Sequence, residues 1–164
     1  MRKSPLILSI ILLTLTLIMG CSSEVDDATK AAEIYKNVEY TVKASEDILS
    51  EDTVLARIEE MKTYYTEYFS EKAIASRITT IPLTIADKQK LSLKPENLKF
   101  TLSEQKKDII ELDYTVDLVL LDKDDKESKR VPLEGLLTLF NVDGKWLVQG
   151  DRFDTVALSK LIYD

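Results

Sequence analysis

Apolar residues change their spacing along the chain at about residue 97. Before that point they recur every three or four residues, which places them on one face of a helix. After it they alternate with polar residues, as in a strand that is buried on one face only. Helices followed by strands predict an α+β domain, in which N-terminal helices pack on one face of a curved antiparallel sheet.

A first helix is predicted over Asp26–Leu49, because small and apolar residues keep a helical spacing there. These residues are Ala28, Ala31, Tyr35, Val38, Val42, Ser45 and Leu49. We expect the stripe that they form to be a packing face, and the alternative is a coiled-coil contact with a partner.

Two shorter helices are predicted to follow. Ser50 is the expected N-cap of the second helix, because acidic residues come directly after it. The helical spacing then continues to Tyr68. Ser70 is expected to cap a third helix that ends at about Arg77. Residues 79–96 have no clear period, and no element is assigned to them.

Alternation begins at about Asn97 and is clearest in a strand predicted over Ile110–Leu120. The polar positions of this strand are Glu111, Asp113, Thr115 and Asp117. Successive side chains of a strand point to opposite faces. We therefore expect the polar face to meet solvent, while the face that includes Tyr114 and Val116 meets the helices.

A polar loop, a second long strand and a tight hairpin are predicted next. Residues 122–130 form the loop, and Val131–Val142 form the strand. Asp143-Gly144 is a strong signal for a two-residue turn into the returning strand Lys145–Phe153. The closing segment Thr155–Tyr163 is left without an assigned structure.

The N-terminus has the pattern of a secretory signal peptide. Met1-Arg2-Lys3 gives a positively charged start, and Leu6–Met19 is an apolar run of 14 residues. A membrane-spanning helix needs about 17–25 such residues, so this run is short for a span.

The end of the apolar run, Ile18-Met19-Gly20-Cys21, resembles the lipobox of bacterial lipoproteins. The resemblance implies that a peptidase cuts between Gly20 and Cys21 and that the thiol of Cys21 carries a diacylglyceryl group. Acyl chains such as palmitate would then anchor the protein in the cell membrane, with its domain on the extracytoplasmic face. Two alternatives are an uncleaved membrane anchor and ordinary signal cleavage without lipid.

The predicted organisation is a signal peptide over residues 1–20, a lipidated tether over residues 21–27 and one globular domain over residues 28–164. Cys21 is the only cysteine, so an intramolecular disulfide is impossible. The short tether would hold the domain close to the membrane.

The mature chain is predicted to be strongly acidic. Removing Arg2 and Lys3 from the 22 basic residues leaves 20, against 29 acidic residues, which gives a net charge of −9. This charge argues against nucleic acid as a partner and against direct adhesion to anionic lipid headgroups.

The last predicted hairpin, Phe140–Val148, contains the turn sequence Asp143-Gly144-Lys145-Trp146. Together with the preceding helices and long strands, it resembles the nuclear-transport-factor-2-like (cystatin-like roll) superfamily over about residues 28–154. The resemblance implies helices packed on a curved sheet, with a conical pocket. Because the superfamily includes enzymes, scaffolds and binding modules, the fold does not choose among those functions.

The residue types available for catalysis are few. The chain has no histidine, and its only cysteine is assigned to the lipid, so the usual catalytic base and zinc ligands are lacking. Some enzymes of the superfamily use an Asp in the pocket, but Asp113 and Asp117 are expected on the face opposite to Tyr114. The acidic residues near Asp122 do not follow the EF-hand pattern for calcium.

No catalytic residue, metal ligand or cofactor is therefore assigned, and we expect a non-catalytic binding or scaffold domain at the cell envelope. The alternatives are a carrier of a small apolar ligand and a carboxylate-based enzyme that uses the conical pocket. Aromatic residues lining that pocket would serve the carrier, although the same residues make an ordinary core.

A partner surface is predicted on the outer face of the sheet. Glu111, Asp113 and Asp117 form an acidic stripe that would attract a basic partner. Leu136 and Phe140 lie on the second apolar face of their strand and would give the contact a drier centre. The expected partner is an envelope protein or a second copy of the chain. Alternatively, the closing segment itself covers Leu136 and Phe140.

Overall fold

The computed structural model describes residues 5–163, with side chains from Ser23 onward. Within this part, helices α1 to α5 span Pro5–Tyr40, Glu51–Lys62, Glu67–Ala75, Ile81–Gln89 and Thr155–Tyr163, and a 3₁₀ helix spans Ile78–Thr80. Strands β1 to β4 span Ser92–Lys106, Ile109–Leu121, Glu127–Val142 and Lys145–Phe153. The predicted signal-peptide start, Met1–Lys3, and the side chains of Gly20 and Cys21 lie outside what is described.

The four strands form one antiparallel sheet in the order β1-β2-β3-β4, so each strand pairs with its neighbours in sequence. Helix α1 packs on the inner face of this sheet, where Ala28, Ala32 and Tyr35 are fully buried. Along β2, buried Tyr114 alternates with exposed Asp113, as the period of two requires. The structure confirms the α+β class, with helices against an antiparallel sheet.

The predicted bounds of the first helix, Asp26–Leu49, are wrong, because α1 begins at Pro5 and ends at Tyr40. Just beyond it, the backbone of Val42 pairs with that of Leu93, with N–O distances of 3.1 and 2.7 Å in the two directions. This pairing draws the chain out of the helix and onto the start of β1. A tertiary hydrogen bond, which no local pattern shows, therefore overrides a sequence that could have continued as a helix.

Ser50 caps α2 as predicted, since its side chain accepts a hydrogen bond from the backbone N–H of Thr53. The predicted cap of the third helix is wrong: Thr66, not Ser70, caps α3. The reason is again a backbone pairing, in which the N–H of Thr66 donates to the carbonyl of Val148 at 3.0 Å. That contact with β4 ends the helical path before Thr66, so α2 does not extend to Tyr68.

Residues 79–96, for which the sequence predicts no element, contain α4 and the beginning of β1. Pro82 lies in the first turn of α4, where its missing N–H costs no helical hydrogen bond. Lys90 ends the helix in the left-handed conformation, with φ of 56°. Pro95 is tolerated because β1 lies at an edge of the sheet.

The predicted loop over residues 122–130 is too long, because β3 already begins at Glu127. The polar residues at the start of β3 continue the ladder with β2 and keep their side chains exposed. The turn that remains is held by the carboxylate of Asp122, which accepts hydrogen bonds from the backbone N–H groups of Asp124 and Lys126. Because the first residues of β3 are all polar, apolar and polar residues do not alternate there, and the sequence pattern does not indicate a strand.

The Asp143-Gly144 turn and the strand that follows it are as predicted, with φ of 52° and 84° at the two turn residues. The unassigned closing segment is helix α5, whose Leu158 and Leu161 are buried. It packs against α4, and the side chain of Gln89 donates to the carbonyl of Leu161 at 2.7 Å. Among the residues whose side chains are described, no helix has the length and apolar character needed to cross a membrane.

Gly135 on β3 faces Tyr114 of β2 directly across the ladder. A Cβ at Gly135 would lie 2.5 Å from the Tyr114 hydroxyl oxygen and would also collide with the backbone carbonyl of Arg152. At Gly150, by contrast, the nearest heavy atom to such a Cβ is 3.8 Å away.

We therefore expect Gly135→Ala to destabilise the domain by about 1–3 kcal/mol, because it must displace a buried tyrosine or the backbone. Gly150→Ala is the matched control and should change the free energy of unfolding far less. Urea denaturation followed by circular dichroism measures both. Equal stability of the two variants would show that Tyr114 does not depend on the space above Gly135.

Candidate functional site

A buried group of polar side chains joins α1 to the sheet; we call it the Lys36 cluster, and it consists of Tyr35, Lys36, Glu39, Tyr114 and Asp151. The Lys36 ammonium lies 2.6 Å from a carboxylate oxygen of Asp151 and 2.7 Å from one of Glu39. It also donates to the Tyr114 hydroxyl at 3.0 Å. All three ammonium donors of Lys36 therefore have acceptors.

Tyrosine side chains complete the coordination of this ammonium and of Asp151. The Tyr35 hydroxyl donates to one oxygen of Asp151 at 3.0 Å, and the Tyr114 hydroxyl donates to the other at 3.2 Å. The ammonium nitrogen of Lys36 is also 4.2 Å from the ring centroid of Tyr114 and 4.9 Å from that of Tyr40. Such cation–π contacts replace part of the hydration that burial removes from the charge.

The local sequence explains how these side chains meet. Lys36 and Glu39 are three residues apart, so they share the face of α1 that also carries Tyr35. Tyr114 and Asp151 lie on β2 and β4, which are separated by β3. Gly135 of β3 leaves room for the Tyr114 ring, whose hydroxyl thereby reaches Asp151. One glycine thus makes a contact possible between two strands that are not neighbours.

The Lys36 cluster contains one cation and two carboxyl groups, all of them buried. Burial raises the pKa of Glu39, and the attraction of Lys36 only partly offsets this effect. For Lys36, burial alone would lower the pKa, but the attraction of Asp151 and Glu39 outweighs it and the pKa lies well above its usual value. The arrangement therefore keeps Lys36 charged and favours an extra proton on Glu39.

The cluster is closed to solvent. Tyr35 and Lys36 have 0% exposure, as does the side chain of Asp151. A catalytic acid or base must lie within hydrogen-bonding reach of a substrate. In this closed arrangement, Lys36 and Asp151 form their side-chain hydrogen bonds with other members of the Lys36 cluster. These hydrogen bonds fasten α1 to β2 and β4.

Sequence reasoning did not find this cluster. Asp151 is a carboxylate buried beside Tyr114, and Lys36 is its counter-ion. The predicted stripe on the first helix includes Val38 and omits Lys36 and Glu39, because charged residues are normally solvated. The available signal was the pair of tyrosines, Tyr35 and Tyr40, that flanks the Lys36–Glu39 pair on the same helix.

The five residues predicted to form a partner surface all lie on the outer face of the sheet, where each is either exposed or half-buried. They are Glu111, Asp113, Asp117, Leu136 and Phe140. Asp113 is exposed, whereas Leu136 and Phe140 are half-buried. Because α5 packs on α4 rather than over these residues, their outer face remains open.

The predicted acidic stripe is interrupted by basic residues. Asp117 accepts hydrogen bonds from Asn97 at 2.8 Å and from Arg130 at 3.2 Å, and its pKa is lowered, first by Asn97. Glu111 accepts a hydrogen bond from Thr138 at 3.1 Å. Asp113 is thus the member of the stripe that none of the described hydrogen bonds or ion pairs uses.

An open hollow of about 740 Å³ lies on this face. The charged and apolar side chains around it include Lys99, Asp113, Glu134, Leu136 and Arg152. Acidic residues of the central strands β2 and β3 are flanked by basic residues of the outer strands β1 and β4. Such a surface matches a partner that carries charges of both signs better than a purely basic one.

In the described part of the chain, no group of three or more potential metal ligands is arranged to hold an ion. The carboxylate of Asp122, at the start of the acidic turn, instead accepts backbone hydrogen bonds.

Comparison with known proteins shows a shared fold only. No protein-family model matches the sequence, and no curated protein is significantly similar to it. Among solved structures, a periplasmic fragment of TraM is similar, with a TM-score of 0.58 and 10% sequence identity. The similarity covers 78% of this chain and 95% of the TraM fragment. The α+β arrangement described above therefore also occurs in that periplasmic fragment.

The raised pKa of Glu39 predicts a pH-dependent stability. A carboxyl whose pKa is raised on folding contributes stability that is fully present below its unfolded value, near 4.5, and is lost as the pH rises through the folded value. Glu39→Gln removes this titration, so the wild type should lose stability relative to the variant as the pH rises above about 4.5. The loss is about 1.4 kcal/mol for each unit by which folding raises the pKa.

Urea unfolding of both proteins at several pH values measures this difference. Glu33→Gln, an exposed site on the same helix, is the matched control. A difference between wild type and Glu39→Gln that stays constant with pH would contradict the assignment of the extra proton to Glu39.

Proposed function

We propose that this chain is a membrane-anchored extracytoplasmic lipoprotein whose domain acts as a non-catalytic binding or scaffold module at the cell envelope. Its anchor would be the lipid on Cys21, for which the sequence Ile18-Met19-Gly20-Cys21 is the support. A solved protein with a similar fold is described as a periplasmic fragment, which agrees with an extracytoplasmic role.

The observation that carries the binding role is the contrast between the two faces of the sheet. On the inner face, the groups able to do acid–base chemistry are enclosed in the Lys36 cluster. On the outer face, charged and half-buried apolar side chains surround an open hollow. Exposed charges around a less polar centre are the usual anatomy of an interface.

A carboxylate enzyme or a carrier of an apolar ligand would use the space between α1 and the sheet, as in the conical pocket of the nuclear-transport-factor-2-like roll. In this chain Tyr35, Lys36 and Tyr114 occupy that space with hydrogen-bonded side chains. Their burial favours the binding or scaffold role over both alternatives. The order of helices followed by a meander supports membership of the superfamily, which remains part of the proposal.

The anchor is tested by expressing the full chain in bacteria with a clickable fatty acid. We expect the wild type to incorporate the label and to fractionate with membranes, and Cys21→Ser to lose both properties. Ser22→Ala keeps the thiol and is the control. Unchanged labelling and fractionation of Cys21→Ser would exclude lipidation at this residue.

The outer face is tested by reversing one charge in the hollow. Asp113→Lys should reduce in-cell crosslinking to the bound partner, or self-association in analytical ultracentrifugation, by about tenfold, as expected for a close charge pair worth about 1.4 kcal/mol or more. Its melting temperature should stay unchanged, because Asp113 is exposed. Asp124→Lys, in the β2–β3 turn, makes the same charge change elsewhere. Equal effects of the two substitutions would exclude a specific role for this face.

A further inference from the structure

The segment predicted as a tether, residues 21–27, is part of helix α1, and it contacts the folded body before it ends. Val25 packs against the core, and Ala28 is fully buried. A carboxylate oxygen of Glu24 accepts a hydrogen bond from the side chain of Gln105 at 3.4 Å. Cys21 is three residues before Glu24 in α1, which corresponds to about 4.5 Å along a helix. The anchoring residue therefore lies within one helical turn of the folded body.

These contacts also fix which end of the sheet is near the anchor. Helix α1 begins its packing beside Gln105, near the end of β1, and its last turn is followed by the pairing of Val42 with Leu93, near the beginning of β1. Helix α1 thus runs antiparallel to β1. Because the sheet is an antiparallel meander, the end of β1 also holds the turns β1–β2 and β3–β4.

We call this the two-turn end, defined by residues 105–109 and 141–145. The backbone N–H of Asn141 donates to the carbonyl of Asp108 at 2.8 Å and ties the two turns together. The β3–β4 turn also approaches α1, since Gly144 and Lys145 line a small surface hollow together with Asp27. Both turns therefore belong to the same rigid end of the domain as the start of α1.

The surface of the two-turn end suits a layer of lipid headgroups. The side chain of Lys107 is 92% exposed and that of Lys106 is 63% exposed, while Val142 is an exposed apolar residue. Long lysine side chains can place an ammonium at a phosphate while their methylenes remain in a less polar layer. Nearby Glu104 and Asp108 pair with these lysines, so the end is close to neutral although the whole chain is acidic.

We propose that the two-turn end rests on the headgroup layer of the bilayer and that the β2–β3 turn points away from it. This proposal rests on the lipid anchor at Cys21 described under Proposed function. The 13 residues of β2 then separate the membrane from the distal turn by about 40 Å, at about 3.3 Å per residue. The strands stand away from the bilayer, and the outer face of the sheet opens sideways, toward partners in or beside the same membrane.

The chain contains one thiol for coupling to a lipid and one tryptophan that can serve as a fluorescence donor, and both can be used to test this orientation. Cys21 is its only cysteine, and Trp146, which lies next to the β3–β4 turn, is its only tryptophan. All residues of the described core, including those partly buried against it, lie within residues 25–163, so a chain that begins at Cys21 retains this core. Its thiol is coupled to a maleimide lipid in phosphatidylcholine vesicles that also contain a dansyl-labelled headgroup lipid. This chemical anchor replaces cellular lipidation.

We expect strong energy transfer from Trp146 to dansyl. The matched control is the double variant Trp146→Phe, Lys123→Trp, which moves the donor to the β2–β3 turn and should show transfer several-fold weaker. Cys21→Ser, which cannot couple, should show none above background. Equal transfer from the two donor positions, or stronger transfer from position 123, would overturn the proposal.

A second measurement needs no substitution. A membrane-impermeant amine reagent is applied to the wild-type chain before and after coupling, and lysine modification is followed by mass spectrometry. Coupling should slow modification of Lys107 several-fold and leave Lys123 unchanged, and the absence of such protection would count against the orientation. Failure of fatty-acid labelling in cells would instead refute the lipoprotein itself, so the two proposals fail in different experiments.

Discussion

The architecture depends on one buried ammonium group. Removing a lysine charge from water costs several kcal/mol, and this cost is offset only when carboxylates and hydrogen-bond acceptors surround the charge in good geometry. For Lys36, these partners come from three elements: Glu39 from α1 itself, Tyr114 from β2 and Asp151 from β4. Neither the helix nor the sheet can satisfy the ammonium alone, so the interaction fixes the position of α1 on the sheet.

A second buried cation extends this constraint to the next helix. The guanidinium of Arg57, on α2, donates to the backbone carbonyls of Val38 and Glu39, in the last turn of α1. It also pairs with Glu60 on its own helix at 2.9 Å. The last carbonyls of a helix lack partners within the helix, and a cation there also interacts favourably with the helix dipole. The last turn of α1 is therefore held by α2, while the Lys36 cluster fastens the end of the same helix to the sheet.

What the sequence predicts well is what local chemistry decides. The strand β2, the Ser50 cap and the Asp143-Gly144 turn follow from alternation, from a side chain that accepts a backbone N–H, and from φ values that Asp and Gly tolerate. The outer position of Asp113 follows from the same alternation.

The errors have a common cause in contacts between distant parts of the chain. Val42 and Thr66 leave their predicted helices because each finds a backbone partner on a strand more than 50 residues away in sequence. Lys36 and Asp151 are 115 residues apart, and both are charged. Each therefore has the local sequence pattern of a solvated residue, because the other residue is its partner only in the folded protein. The sequence does not reveal the basic residues that flank the outer face for the same reason, because Asp113 and Arg152 come together only through the pairing of β2, β3 and β4.

The same contacts determine how far an anchor at Cys21 would restrict the orientation of the domain. A flexible linker between a lipid and a domain would let the domain rotate freely, and its surfaces would face all directions. Here the chain is already packed against the core at Val25, and ten residues later the Lys36 cluster fastens the same helix to two strands. The helix that would lead from the membrane is thus the helix that the Lys36 cluster fastens to the sheet. A partner would then meet the outer face in a restricted set of orientations, and less rotational freedom would remain to be lost on binding.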